Sequence, residues 1–120
     1  MPAVSVVVPV LNEAGNISPL VKEITEALSA LENFEIIYVD DGSTDETPNV
    51  LTELTKTVSE LHFLRHQKRA GQSAAIWTGV GAASFPLIAT LDGDGQNVPA
   101  NIPDLIHLYL RNSAPDGKLM

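Results

Sequence analysis

Three short apolar runs, Val4 to Val10, Glu35 to Val39 and Leu87 to Leu91, are separated by segments with helical spacing. Runs that are apolar on both faces suit strands buried inside a parallel sheet rather than half-exposed antiparallel ones. Leu61 to Leu64 is a weaker fourth candidate. After the first run, Ile17, Leu20, Val21, Ile24, Ala27, Leu28 and Leu31 recur at helical intervals, with Asn16 placed to cap the start. Val50, Leu51, Leu54 and Val58 repeat the pattern. The stretch "SAAIWTGVGAA" predicts a small-residue helix able to lie close against a sheet, with Trp77 expected in the core. A last helix is expected over Ile102 to Leu110. The order β-α-β-α-β-α-β-α predicts an α/β fold, with a mostly parallel sheet, flanking helices and right-handed crossovers.

With 120 residues, 44% of them hydrophobic and 18% charged, the chain has enough apolar material for one small globular domain. Seven Lys and Arg against fifteen Asp and Glu give a net charge of −8. Such a field repels phosphate backbones, so no nucleic-acid partner is expected. The absence of cysteine excludes disulfides and thiolate metal sites and is compatible with a cytoplasmic location. No apolar run approaches the roughly 18–20 residues of a membrane-spanning helix. The opening "MPAVSVVVPVLNE" lacks the basic start and small-residue cleavage site of a signal peptide, and it reads as a buried strand. After Leu110, "RNSAPDG" reads as a turn and "KLM" as the first step of another strand. Residues 1–120 are therefore expected to form a single domain that is incomplete at its C-terminus. Such a domain would have an unpaired sheet edge through which copies could self-associate.

In open α/β sheets, ligands bind beyond the carboxyl ends of the strands. Three of the four runs here end in polar clusters: Asn12 and Glu13; "DDGSTDE" from Asp40 to Glu46; and "DGDGQN" from Asp92 to Asn97. The fourth is followed by "HQKRAGQS", the dense basic segment that holds Lys68 and Arg69. A rim of carboxylates beside two cations suits an anionic ligand bridged by a divalent metal. Asp92 and Asp94, two apart in an extended segment, point to the same side. Gly93 and Gly95 allow a tight turn, and Gln96 adds a third hard oxygen, a set suited to Mg²⁺ or Mn²⁺. D-G-D-G is equally good turn chemistry. Ser43 and Glu46 have capping-box spacing, which leaves Asp40 and Asp41 unexplained; Asp41 could accept a hydrogen bond from a nucleobase N–H. His62, His66 and His107 form no ligand constellation and are taken as structural.

Taken together, "VSVVVPVLNE", "FEIIYVDDGSTDET", "RAGQSAAIWTGV" and "LIATLDGDGQNVPANIPDLI" resemble, in order and approximate spacing, the motifs of family 2 inverting glycosyltransferases. Within that family the motifs look most like those of the polyprenyl-phosphate transferases, including the dolichol-phosphate mannosyltransferases and bacterial undecaprenyl-phosphate sugar transferases. The resemblance implies a Rossmann-like fold, the nucleotide-binding half of the glycosyltransferase A-type architecture. It implies that Pro9, Leu11, Glu13, Asp41 and Asp92 line the nucleotide pocket, and that Lys68 and Arg69 lie on the diphosphate side. Asp92, Asp94 and Gln96 would hold Mg²⁺ or Mn²⁺. The donor would be a UDP- or GDP-linked sugar, and the acceptor a polyprenyl phosphate that attacks with inversion. A longer parent would associate with the cytoplasmic face of a membrane. Two departures stand out: Leu11 replaces a frequent Tyr, and Gly93 and Gly95 replace the usual Ala and Leu. Family domains are considerably longer, so these residues alone are expected to bind donor without turnover.

Other classes fit less well. A dinucleotide-binding oxidoreductase needs a Gly-rich turn after the first strand, and "VPVLNEAGN" has no G-x-G-x-x-G. A haloacid-dehalogenase-type phosphatase places its D-x-D near the chain start, with Thr or Val where Gln96 stands. An EF-hand fails at the turn glycine, replaced by Asn97, and at the closing Glu, replaced by Pro103. The alternative kept open is a non-catalytic nucleotide-binding, metal-binding or interaction domain on the same fold.

Overall fold

The computed structural model describes residues 3–31 and 33–91. Strand β1 (Val4–Val10) leads to helix α1 (Ala14–Ala27), then β2 (Phe34–Asp40), α2 (Thr47–Thr55), β3 (Leu61–Arg65), α3 (Gln72–Ala82) and β4 (Leu87–Thr90). All three strand pairings are parallel, in the order β3-β2-β1-β4. The predicted α/β class, parallel sheet and flanking helices are therefore what the chain forms, with β1 as expected and the limits of the other strands within one residue of expectation.

Strand alternation divides the core into two layers. Val4, Val6, Val8 and Val10 of β1, with Ile36 and Tyr38 of β2, pack with Ile17, Leu20, Val21, Ile24 and Leu28 and with Leu51. Val7, Ile37, Val39 and Ile88 belong to the opposite layer, with Ala75 and Val80 of α3. The apolar rows of β1 and β2 are thus buried on both sides, which is why these segments carry no polar alternation apart from Ser5 and Glu35 near their starts and Asp40 at the end of β2. Helix α3 reaches the sheet through small residues. A Cβ at Gly79 would stand 2.4 Å from Val7 Cγ1, so the helix lies closer than any larger side chain allows. Trp77 is two residues from both Ala75 and Gly79, about 200° around the helix from each. It is 68% exposed, not in the core as expected.

Pro9 lies in a central strand, where a residue without an N–H is normally excluded. The carbonyl of Val10 accepts from Asp41 N of the β2 side, and that of Val7 accepts from Leu91 N of the β4 side. Pro9, two residues past Val7, faces the β4 side. The described pairing of β4 with β1 stops short of it, at Val7↔Thr90. Its missing donor thus falls just beyond the described ladder. Because β2 and β3 lie on one side of β1 and β4 on the other, the chain reverses its direction across the sheet here, where open α/β sheets form their ligand crevice.

At the opposite rim, a buried polar network sets β4 beside β1. Glu35, 7% exposed, accepts from Ser5 Oγ at 2.6 Å and from the Ser84 amide, and Ser5 Oγ in turn accepts from Phe85 N at 3.2 Å. Four residues from three distant parts of the sequence therefore satisfy one another where α3 turns into β4. The apparent polar interruptions of two apolar strands serve to anchor this turn.

Both helix starts differ from expectation. Helix α1 begins at Ala14 with Glu13 as N-cap, and Asn16 lies inside it, donating its Nδ2 to Glu13 Oε1 at 2.6 Å. Helix α2 begins at Thr47 with Glu46 as N-cap, and Asp45, not Ser43, bonds its first turn: Thr47 N donates to Asp45 Oδ1 at 2.8 Å. Helix α1 stops at Ala27, yet Leu28 and Leu31 remain buried beyond its end. The expected helix over Ile102 to Leu110, and His107 within it, lie outside the described residues.

Two substitutions test this packing. Gly79→Ala forces a methyl group into Val7 and is expected to destabilise the fold by about 1–3 kcal/mol in urea denaturation. Tyr38→Phe is expected to do the reverse. The Tyr38 hydroxyl is fully buried with no hydrogen-bond partner among the described residues, and burial pushes its titration above the ordinary range. Removing a hydroxyl whose unmet desolvation costs about 1–3 kcal/mol should raise the melting temperature or leave it unchanged. A clear fall would mean that the hydroxyl has a partner.

Candidate functional site

Loops that leave the carboxyl ends of β1, β2 and β3 meet on one rim and are hydrogen-bonded to one another. Asn12 adopts a left-handed backbone (φ 55), and its Oδ1 accepts from Thr44 N at 2.8 Å and Asp45 N at 3.3 Å. In return, Asn12 N donates to Ser43 Oγ at 2.8 Å and Glu13 N to Thr47 Oγ1 at 3.1 Å. The start of α1 is thus held from the β2–α2 loop and the first residue of α2, and the helix's first amide, Ala14 N, donates to Asp45 Oδ2 at 3.4 Å. This explains why Asn16 is not needed as a cap.

The "DDGSTDET" segment directs most of its polar groups inward. Asp40 is fully buried, and its Oδ1 accepts from Ser43 N at 2.9 Å. Its Oδ2 lies 3.5 Å from Arg65 Nε, without a hydrogen-bond partner among the described residues. Arg65 also donates to the Ser43 carbonyl at 3.3 Å. Turn closure and an ion pair with β3 therefore account for Asp40, which capping alone left unexplained. Gly42 serves the neighbouring approach. Its φ is 89, and a Cβ there would come within 2.9 Å of Arg69 N, so only glycine lets the basic segment lie against this turn.

Asp41 is the junction of the rim. Its Oδ1 accepts from His66 Nδ1 and from Ala70 N, each at 2.8 Å, and its Oδ2 accepts from Gly71 N at 2.8 Å. Burial pushes the carboxyl up, but the bonds from Ala70, His66 and Gly71 outweigh it, and Asp41 titrates below the usual range. Asp45 is also lowered, by the Thr47 hydroxyl and amide, although it is exposed. Asp41 still reaches solvent through a cleft of about 130 Å³ lined by Pro9, Val10, Leu11, Asp41, Arg69 and Gln72.

Of the residues named from sequence, Pro9, Leu11, Asp41 and Arg69 converge on this cleft. Glu13 is engaged at the α1 N-cap, and Lys68 is exposed; both stand outside the cleft's described lining. Asp92, Asp94 and Gln96 lie outside the described residues. Among the described residues no three His, Asp or Glu side chains are grouped to hold a cation. Sequence reading missed Val10, Gln72 and His66. Their signal was position: each ends a strand or follows β3 at the same rim, where the sheet order directs ligands.

A parallel sheet in this order, with its cleft at the switch point, has the architecture of the A-type glycosyltransferases. The sequence model of "Glycosyl transferase family 2" matches residues 5–115, and the chain belongs to that family. It is 40% identical over 104 residues to a dodecaprenyl-phosphate galacturonate synthase of Rhizobium johnstonii, across 85% of this chain and 31% of that protein. It is 39% identical over 107 residues to an undecaprenyl-phosphate 4-deoxy-4-formamido-L-arabinose transferase of Yersinia pestis, across 88% of this chain and 33% of that one. Among solved structures, it resembles mannosyltransferase PcManGT from Pyrobaculum calidifontis in complex with GDP-Man and Mn²⁺. The TM-score is 0.74 at 25% identity, over 95% of this chain and 33% of that one. Glucosyl-3-phosphoglycerate synthase from Mycobacterium tuberculosis, with Mn²⁺, UDP and glucosyl-3-phosphoglycerate, gives 0.69 at 25% identity, over 88% and 38%. The chain spans about a third of the length of these relatives. Among the described residues no helix is long and apolar enough to cross a membrane.

Acid unfolding tests the Asp41 junction. Asp41 and Asp45 titrate lower folded than unfolded. Their contribution is therefore complete above the ordinary carboxyl value of about 3.9 and is lost as pH falls through the native values. Thermal melts taken downward from neutral pH should show stability falling in that window, with part of the slope missing in Asp41→Asn. An identical acid slope in the variant would contradict the assignment.

Proposed function

We propose that this chain is the donor-binding portion of a family 2 glycosyltransferase that uses a UDP- or GDP-linked sugar and, in a complete enzyme, a polyprenyl-phosphate acceptor. The observation that carries this reading is the convergence of Pro9, from the end of β1, and Leu11, Asp41 and Arg69, from three separate loops, on one cleft at the carboxyl ends of the strands. Leu11 and Pro9 offer apolar surface to a base. Asp41, ionised at neutral pH, is an acceptor for a base N–H, and Arg69 is a cation for the diphosphate. The two polyprenyl-phosphate transferases similar over most of this chain support the acceptor class.

Asp92, Asp94 and Gln96 follow β4 directly, and on this reading they hold a divalent cation, Mg²⁺ or Mn²⁺. Their hard oxygens suit such an ion, and the two similar solved structures contain Mn²⁺. When bound, the metal supplies charge neutralisation on the departing nucleoside diphosphate. The chain's own part is to hold the base and to orient the diphosphate beside Arg69. The proposal for these 120 residues alone is donor binding without turnover.

Calorimetric titration of UDP and GDP, with and without Mn²⁺, tests this in the wild type and in Asp92→Ala/Asp94→Ala. The expected result is metal-dependent binding that the double variant loses. No binding by a folded wild-type chain would overturn the proposal for this chain. Sugar transfer to a polyprenyl phosphate by these residues alone would overturn the claim of binding without turnover.

A further inference from the structure

We infer that Asn12 is a positioning residue for the donor: by clasping the β1–α1 loop to the β2–α2 loop, it holds Leu11 at the cleft before a ligand enters. The inference rests on the nucleotide-binding reading given above.

Among the described residues, Asn12 is the one non-glycine with a positive φ. Glycine would take that conformation without steric cost, so an asparagine there needs a reason in its side chain. Asparagine can support this backbone by bonding locally. Here Oδ1 instead reaches across the rim, accepting from Thr44 N at 2.8 Å and from Asp45 N at 3.3 Å. The Asn12 amide donates to Ser43 Oγ at 2.8 Å, and the Ser43 amide is tied in turn to the buried Asp40 carboxylate. One residue thus uses both backbone and side chain to fasten one loop to the other.

The residues that line the cleft do not depend equally on this clasp. Pro9 and Val10 belong to β1, and the Val10 carbonyl also accepts from Asp41 N at 2.9 Å. Asp41 is held by that bond and by His66, Ala70 and Gly71. Arg69 lies with its backbone against Gly42, and Gln72 opens α3. Leu11 stands one residue beyond β1 and one before Asn12, so the fastened turn sets where its half-buried side chain lies. Ordering a side chain or loop when a ligand binds costs affinity, and a loop fixed beforehand avoids that cost. Asn12, outside the cleft's described lining, therefore acts on binding through Leu11.

The test is a double-mutant cycle read by calorimetric titration of UDP and GDP with Mn²⁺. The chains are the wild type, Asn12→Gly, Leu11→Ala and the two changes together, each checked for folding by circular dichroism. Asn12→Gly permits the same turn and loses the Oδ1 bonds. It should weaken whichever nucleotide the wild type binds by about two- to tenfold, the factor that ordering one side chain on binding corresponds to. In the Leu11→Ala background the same change should cost less than about twofold, because a residue that acts through Leu11 has nothing left to position. If Asn12→Gly does not fold, Ser43→Ala takes its place in the cycle. It removes the bond from the Asn12 amide and should show a smaller loss with the same dependence on Leu11. Equal losses in the two backgrounds would mean a general loosening of the fold and would overturn the inference while the nucleotide-binding reading stands. Wild-type affinity in Asn12→Gly, or in Leu11→Ala, does the same. A folded wild type that binds neither nucleotide overturns both.

Discussion

A carboxylate nearly closed off from water must find donors or lose its charge, and Asp41 finds three in a segment about thirty residues away. These bonds join the end of β2 to the loop that opens α3, and with it to the small-residue helix that covers half the sheet. The basic segment runs between the two anchors, pressed against Gly42 on one side and bonded through Ala70 and Gly71 on the other. Arg69 is therefore brought to the cleft by its backbone neighbours rather than by a bond of its own side chain to the carboxylate. A cation placed in this way remains available for a ligand.

The cleft is a product of sheet order. Pro9 has no N–H to offer, and it lies one step past the last described partner on β4. At the opposite rim, Glu35 bonds Ser5 and Ser84 and sets where β4 starts. One polar network fixes the register of β4 against β1, while proline withholds the donor that would extend it. Pro9 is itself buried, and with half-buried Leu11 it lines the cleft at the carboxyl end of β1. The close seating of α3 through Gly79 brings Gln72 and Thr78 within reach of the same rim.

The sequence made the layers and their order legible because β-branched runs and helical spacing report burial directly. Most of β1, β2 and α1 follows from Val4–Val10, Glu35–Val39 and Ile17–Leu28 alone. Helix starts were not legible, since Asn12, Asp45 and Thr47 satisfy end groups across loops that are adjacent only in space. Local cap rules pointed to Asn16 and Ser43, which are near in sequence. Trp77 failed for a related reason: composition marks a large apolar residue for the core, but phase on the helix decides, and the sheet-facing stripe belongs to Ala75 and Gly79. At the site, Pro9, Leu11, Asp41 and Arg69 were found by position after a strand. His66 was set aside because it lacked a ligand constellation, although its partners are a carboxylate and a hydroxyl supplied by other elements.

The polar motif after β2 shows how such a segment serves two purposes without conflict. Asp40, Ser43, Asp45 and Thr47 each accept an internal donor, and all four hold turns or helix ends in place. Asp41 alone among these residues lines the cleft, and even there most of its acceptor capacity holds the basic loop. A dense cluster of carboxylates in a sequence is thus not a count of groups facing a ligand. Each internal bond reduces what remains, and the chemistry left for recognition is set by the small number of lone pairs the fold has not used. Among the described residues that remainder includes the Asp41 carboxylate and the Arg69 guanidinium, both lining the same opening, and it is on these two that the proposed reading of a base linked to a diphosphate rests.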